Sequence, residues 1–165
     1  MNEIYQKTIC QPIIFQGIGL HSGKSSKIAI LPGSSDQGII FKRVDLKENN
    51  IVRANYESVS SAKLCTTLEN EQGIKVSTVE HLLAALYIAE IDNAIIEIDN
   101  EEVPIMDGSA KDFLISLKKT PIKTLEKKRK YLKILDKVEL LDGEKKISVE
   151  PNDSSLEVNF QLNYK

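Results

Sequence analysis

Along the first hundred residues, apolar positions fall into short runs that read as strands, broken once by a helical spacing. Thr8 to Phe15, Lys27 to Leu31 and Gly38 to Val44, each rich in Ile, predict three strands. Gly17, Gly19 and Gly23 punctuate the first connection, and Pro32-Gly33-Ser34-Ser35 marks the second as a turn. Lys63 to Glu69 and Ile74 to Val76 read as a hairpin closed across Asn70-Glu71-Gln72-Gly73. Then the period changes. Val79, Leu82, Leu83 and Leu86 recur at three-to-four spacing and predict an amphipathic helix from Thr78 to about Ala89, with Ser77 or Thr78 as its cap. Asp92-Asn93 leads into a buried-type strand, Ala94 to Ile98. A second helix is expected from Ala110 to Lys118, capped by Ser109 and followed by Pro121.

Residues 118–130 read Lys-Lys-Thr-Pro-Ile-Lys-Thr-Leu-Glu-Lys-Lys-Arg-Lys. Such a basic run is expected to be a solvated linker and the boundary between domains, with a phosphate- or headgroup-binding segment as the alternative. Beyond it, Tyr131 to Leu141, a turn at Asp142-Gly143, Lys146 to Val149 and Leu156 to Tyr164 predict three antiparallel strands. Three strands with no helix to cover them make a poor core, so the C-terminal unit reads as incomplete.

Composition narrows the class. Hydrophobic residues at 41% and charged residues at 28% of 165 are ordinary for a soluble globular protein. A net charge of −2 argues against a globally cationic nucleic-acid binder. No apolar run approaches a membrane span, and the N-terminus lacks the layout of a signal peptide. Cys10 and Cys65 lie far apart and form no Cys-x-x-Cys pair, so neither a disulfide framework nor a thiolate zinc site is indicated, and a reducing cytoplasm is the expected compartment.

Two segments invite chemistry. Gly17-Ile18-Gly19-Leu20-His21-Ser22-Gly23-Lys24-Ser25 looks like a phosphate loop, but four residues must separate the first glycine from Gly-Lys-Ser. Gly17 leaves five and Gly19 leaves three, and a strand rather than a helix follows, so this is a glycine-rich turn with His21 at its tip. The second segment is Ser77-Thr78-Val79-Glu80-His81, an acid and an imidazole at a helix start. Glu80 and His81 are a candidate base and metal ligand, but local pattern favours the plainer reading, in which Ser77 is N-cap and Glu80 completes a capping box that needs no chemistry. Catalytic zinc requires three protein ligands and an open position. The His-Glu-x-x-His pattern is absent, because Ala85 stands four residues after His81. A serine or cysteine triad is unsupported as well, with only His21 and His81 available as bases.

Five motifs in order carry a resemblance: Gly-Ile-Gly-Leu-His-Ser-Gly-Lys at 17–24, Leu-Cys-Thr-Thr-Leu at 64–68, Ser-Thr-Val-Glu-His-Leu at 77–82, Ile-Asp-Asn-Ala-Ile-Ile-Glu-Ile at 91–98 and Pro-Ile-Met-Asp-Gly-Ser-Ala at 104–110. Together they closely resemble the UDP-3-O-acyl-N-acetylglucosamine deacetylase family, the zinc amidases that commit Gram-negative bacteria to lipid A synthesis. The resemblance implies an α+β fold with two domains of similar topology, each a sheet covered by helices, and an active site between them. Residues 1–125 would then be the two-layer first domain carrying the Glu-His motif. Residues 126–165 would be a linker and the opening antiparallel strands of a second, incomplete domain.

The resemblance also implies roles. Glu80 matches the family's general base and His81 its first zinc ligand; the metal polarises the acetamide carbonyl and acidifies water while the carboxylate takes the proton. Leu64 and Cys65 match residues lining the pocket, His21 a histidine near the cleft, and Tyr164 an aromatic that stacks on uracil. The remaining zinc ligands, a histidine and an aspartate, belong to the family's second domain and have no counterpart among these residues. The same is true of a histidine general acid and a substrate-contacting lysine. The expected function is therefore zinc-dependent hydrolysis of the N-acetyl group of UDP-3-O-acyl-N-acetylglucosamine, with the missing C-terminal half as a partner. The competing expectation is a catalytically inactive remnant that keeps a nucleotide-sugar or protein-binding role.

Overall fold

The computed structural model describes residues 4–153 and 156–162. The chain divides into two units, one ending at Arg129 and the other beginning at Lys130. In the first, the central sheet runs in the order β2 (Ile13–Ile18), β3 (Ser25–Pro32), β9 (Ala94–Ile98), β4 (Ile39–Arg43) and β5 (Ile51–Arg53). All neighbours are antiparallel except β4 and β9. Strand alternation explains why one face is covered. The paired row Ile13, Ile30, Ile96, Phe41 and Val52 crosses all five strands, and its last four members are buried.

Helices α1 (Glu80–Ile88) and α2 (Lys111–Lys119) supply the second layer. Leu82, Ala85 and Leu86 of α1 and Phe113 and Leu117 of α2 join the sheet's buried residues in one core. Phe113 meets Phe15 edge-on, with ring centroids 4.9 Å apart. Each such fully buried large side chain contributes about 1.5–3 kcal/mol from removal of apolar surface. The fold is mixed α/β, with few helices and several sheets.

Two smaller sheets flank the core sheet. β1 (Tyr5–Ile9) pairs antiparallel with β10 (Ile122–Lys128), and β6 (Val59–Ser61), β7 (Thr67–Glu69) and β8 (Lys75–Ser77) form a meander. Several expectations change here. The strand foreseen from Thr8 to Phe15 is two strands in two sheets, divided at Cys10–Pro12, where Pro12 has no N–H to donate. The basic run read as a linker carries β10, closed by Arg129, whose guanidinium donates to both Asp92 carboxylate oxygens at 2.7 and 2.8 Å. Neither helix has the expected side-chain cap: Val79 and Ala110 hold the N-cap positions. Ser109 still accepts the Lys111 N–H at 3.1 Å, one position away from the role foreseen for it.

In the second unit, β11 (Val138–Asp142) and β12 (Lys145–Val149) form a hairpin across Gly143-Glu144, with Gly143 at φ +58°. Asp142 is the last strand residue, so the turn lies one position later than its sequence signal. Every residue of both strands is exposed. Residues 131–137 and 156–162 carry no strand, against the expectation of three. Tyr164 lies outside the described residues.

Candidate active site

The site begins where β8 stops. Ser77 donates its N–H to Glu101 O at 2.8 Å and accepts from Val103 N–H at 3.1 Å, which lays the end of β8 beside residues 101–103. Thr78 then turns the chain with φ +57°, a left-handed conformation costly for a β-branched residue. Its hydroxyl donates to Glu102 Oε1 at 2.9 Å instead of capping α1. Helix α1 opens with Glu80 and His81.

The Glu80 carboxylate does not close a capping box. Its Oε2 accepts the backbone N–H of Thr66 at 3.0 Å, and Val79 N–H donates to Thr66 O at 3.4 Å. The helix start is thereby tied to the loop that carries Leu64 and Cys65. The other oxygen, Oε1, stands 3.9 Å from His81 Nε2. Leu64 sits at φ +69° with 83% of its surface exposed, so an apolar side chain is presented outward from a turn beside the acid. Cys65 is partly buried, its Sγ 3.8 Å from Thr67 Oγ1.

His21 arrives from the glycine-rich turn. Its backbone N–H donates to Glu102 Oε1 at 2.9 Å, and that of Ser22 donates to Oε2 at 2.8 Å. The turn is closed on itself by Gly19 N–H to Lys24 O at 2.9 Å and Gly23 N–H to Gly19 O at 3.0 Å. Burial pushes the Glu102 carboxyl up, but hydrogen bonds from the His21 backbone, from Ser22 and from Thr78 outweigh it and hold the group down at about 2. An open cleft of about 480 Å³ lies here, lined by His21, Lys24, Arg43, Ser77, Asn100 and Glu102. A second, of about 340 Å³, lies between Arg53 and Asn70. Neither is lined by Glu80 or His81.

Thus the structure ties Leu64–Cys65 and the His21 turn separately to the segment that launches Glu80 and His81. The Pro104–Ser109 stretch joins them through Ile105 N–H to Ile18 O at 3.0 Å. Glu102 and Thr66 were not anticipated from sequence. Glu102 sits just before a recognisable motif, but its partners lie 24 and 81 positions away, and only the bridge between Ser77 and Glu102 reveals them.

Among the described residues, no group of three or more His, Cys, Asp or Glu side chains could hold a metal ion. The donor chemistry at the helix start fits one imidazole ligand beside a carboxylate, which is less than the three that catalytic zinc needs. No helix among these residues is long and apolar enough to cross a membrane.

Fold and site define a class: a mixed α/β protein with an acid–imidazole pair at a helix start, steadied by two converging loops. Comparison makes it particular. Residues 6–165 match the model of the UDP-3-O-acyl N-acetylglycosamine deacetylase family, and the chain belongs to that family. Relatives named UDP-3-O-acyl-N-acetylglucosamine deacetylase include those of Phenylobacterium zucineum, 37% identical over 162 residues, and Shewanella baltica, 40% identical over 161. Each alignment covers 98% of this chain but 55% and 52% of the relative, so the chain spans about half the length of the curated relatives it matches.

Proposed function

We propose that this chain supplies the acid–imidazole half of a zinc-dependent deacetylase site that hydrolyses the N-acetyl group of UDP-3-O-acyl-N-acetylglucosamine, the committed step of lipid A synthesis. Residues up to Arg129 belong to the first of two α+β domains in this reading, and those from Lys130 open the second. The rest of the site comes from the C-terminal half, and the reaction takes place in the cytoplasm. The observation that carries the reading is the state of Glu80: one oxygen is steadied by Thr66 N–H, and the other faces the His81 imidazole without capping the helix.

His81 would be one zinc ligand, and a histidine and an aspartate outside these residues would complete the set. Zinc held there would supply Lewis acidity to the acetamide carbonyl and to a water. Glu80 Oε1 accepts the proton of the attacking water, while the Thr66 N–H on Oε2 fixes the carboxylate plane. Leu64 and Cys65 line the substrate pocket beside the acid, His21 contacts substrate from its turn, and Tyr164 stacks on the uracil.

The test is acetate release from UDP-3-O-acyl-N-acetylglucosamine by the protein that joins these residues to the C-terminal half, with zinc content measured on the same samples. Release that falls together with zinc in His81→Ala supports the reading. An unmutated protein that binds the nucleotide sugar but releases no acetate favours the binding remnant instead.

A further inference from the structure

Glu102 is 2% exposed, and both of its oxygens are used. Oε1 accepts from the His21 backbone and the Thr78 hydroxyl, and Oε2 from the Ser22 backbone. No cation is among these hydrogen-bond partners, to which the Ser22 hydroxyl adds; the carboxylate takes N–H and O–H dipoles from two segments far apart in sequence. Such a buried carboxylate persists only where its hydrogen bonds replace the lost water. The approach is close enough to dictate a neighbour: a Cβ on Gly19 would come within 2.4 Å of Glu102 Oε2. On the other side, Thr78 holds a left-handed conformation two residues before Glu80, a strain that surrounding contacts must maintain.

We propose that Glu102 is a positioning residue, whose one carboxylate couples the His21 turn to the Thr78 turn that aims Glu80 and His81. Its consequence for turnover rests on the deacetylase reading; the coupling itself does not. Because a single rigid group takes bonds from both segments, displacement of either is felt by the other. The substrate-facing turn and the base are set as a unit.

Amide hydrogen exchange in the 165-residue chain tests this without substrate or metal. Thr78→Val removes the hydroxyl bond and leaves both backbone bonds of the turn in place. Exchange at His21 and Ser22 is expected to rise about tenfold or more, while Ile96 at the sheet centre keeps its protection. Thr78→Ser, which restores the hydroxyl, returns the turn to the wild-type rate. Unchanged exchange at His21 and Ser22 in Thr78→Val, or a rise shared equally by Ile96, overturns the coupling. Should Thr78→Val fail to fold, Glu102→Gln reads the reverse direction at the Thr66 amide, which Glu80 holds. Faster exchange there supports the proposal, and an unchanged rate refutes it. If the protein that joins these residues to the C-terminal half releases no acetate while these exchange effects appear, the deacetylase reading fails and the coupling stands.

Discussion

Glu80 Oε2 accepts the backbone N–H of Thr66 at 3.0 Å, so the acid at the start of α1 is held from the neighbouring loop and not from its own helix. Glu80→Gln keeps an oxygen for that bond, whereas Glu80→Ala leaves the N–H without it. Urea unfolding should show Glu80→Ala destabilised by about 1 kcal/mol and Glu80→Gln by less than half of that. Equal losses would mean that the bond contributes nothing.

Glu102 gives the stability a defined acid dependence. Its folded value of about 2 lies below the ordinary 4.5, so its contribution is fully present above pH 4.5 and is lost as pH falls toward 2. The full difference is worth about 3 kcal/mol. Between pH 5 and pH 2, wild type should lose about that much more unfolding free energy than Glu102→Gln, measured by urea titration. Parallel losses in the two proteins would contradict the assignment.

Phe113 joins α2 to the sheet through Phe15. It is fully buried, and Phe113→Ala should cost about 3–5 kcal/mol, read as a fall in the urea midpoint with the slope unchanged. A loss under about 1 kcal/mol would show that α2 is not packed as described.

Much of the first unit could be read from local pattern. β3 and β9 alternate clearly, because one face of each lies on the core, while β4 stands out as an apolar run and the β7–β8 hairpin by its turn at Asn70–Gly73. β10 could not be read that way: only Leu125 is buried along its length, and its place comes from backbone pairing with β1. β5 and β6 are three residues each, too short to show a period. The Ser77–Glu80 spacing fits a capping box, and local pattern offers no sign that Thr78 turns left-handed and gives its hydroxyl to Glu102. The acid–imidazole pair was visible in the chain; what orients it depends on contacts between residues far apart in sequence.

Whether Glu80 is the base proposed above or a structural acid is read from acetate release from UDP-3-O-acyl-N-acetylglucosamine by the protein that also carries the C-terminal half, comparing wild type with Glu80→Gln at equal zinc content. The expected result is a loss of about 10²–10⁴-fold in kcat with zinc retained, the range typical of general-base catalysis. Full turnover by Glu80→Gln would contradict it.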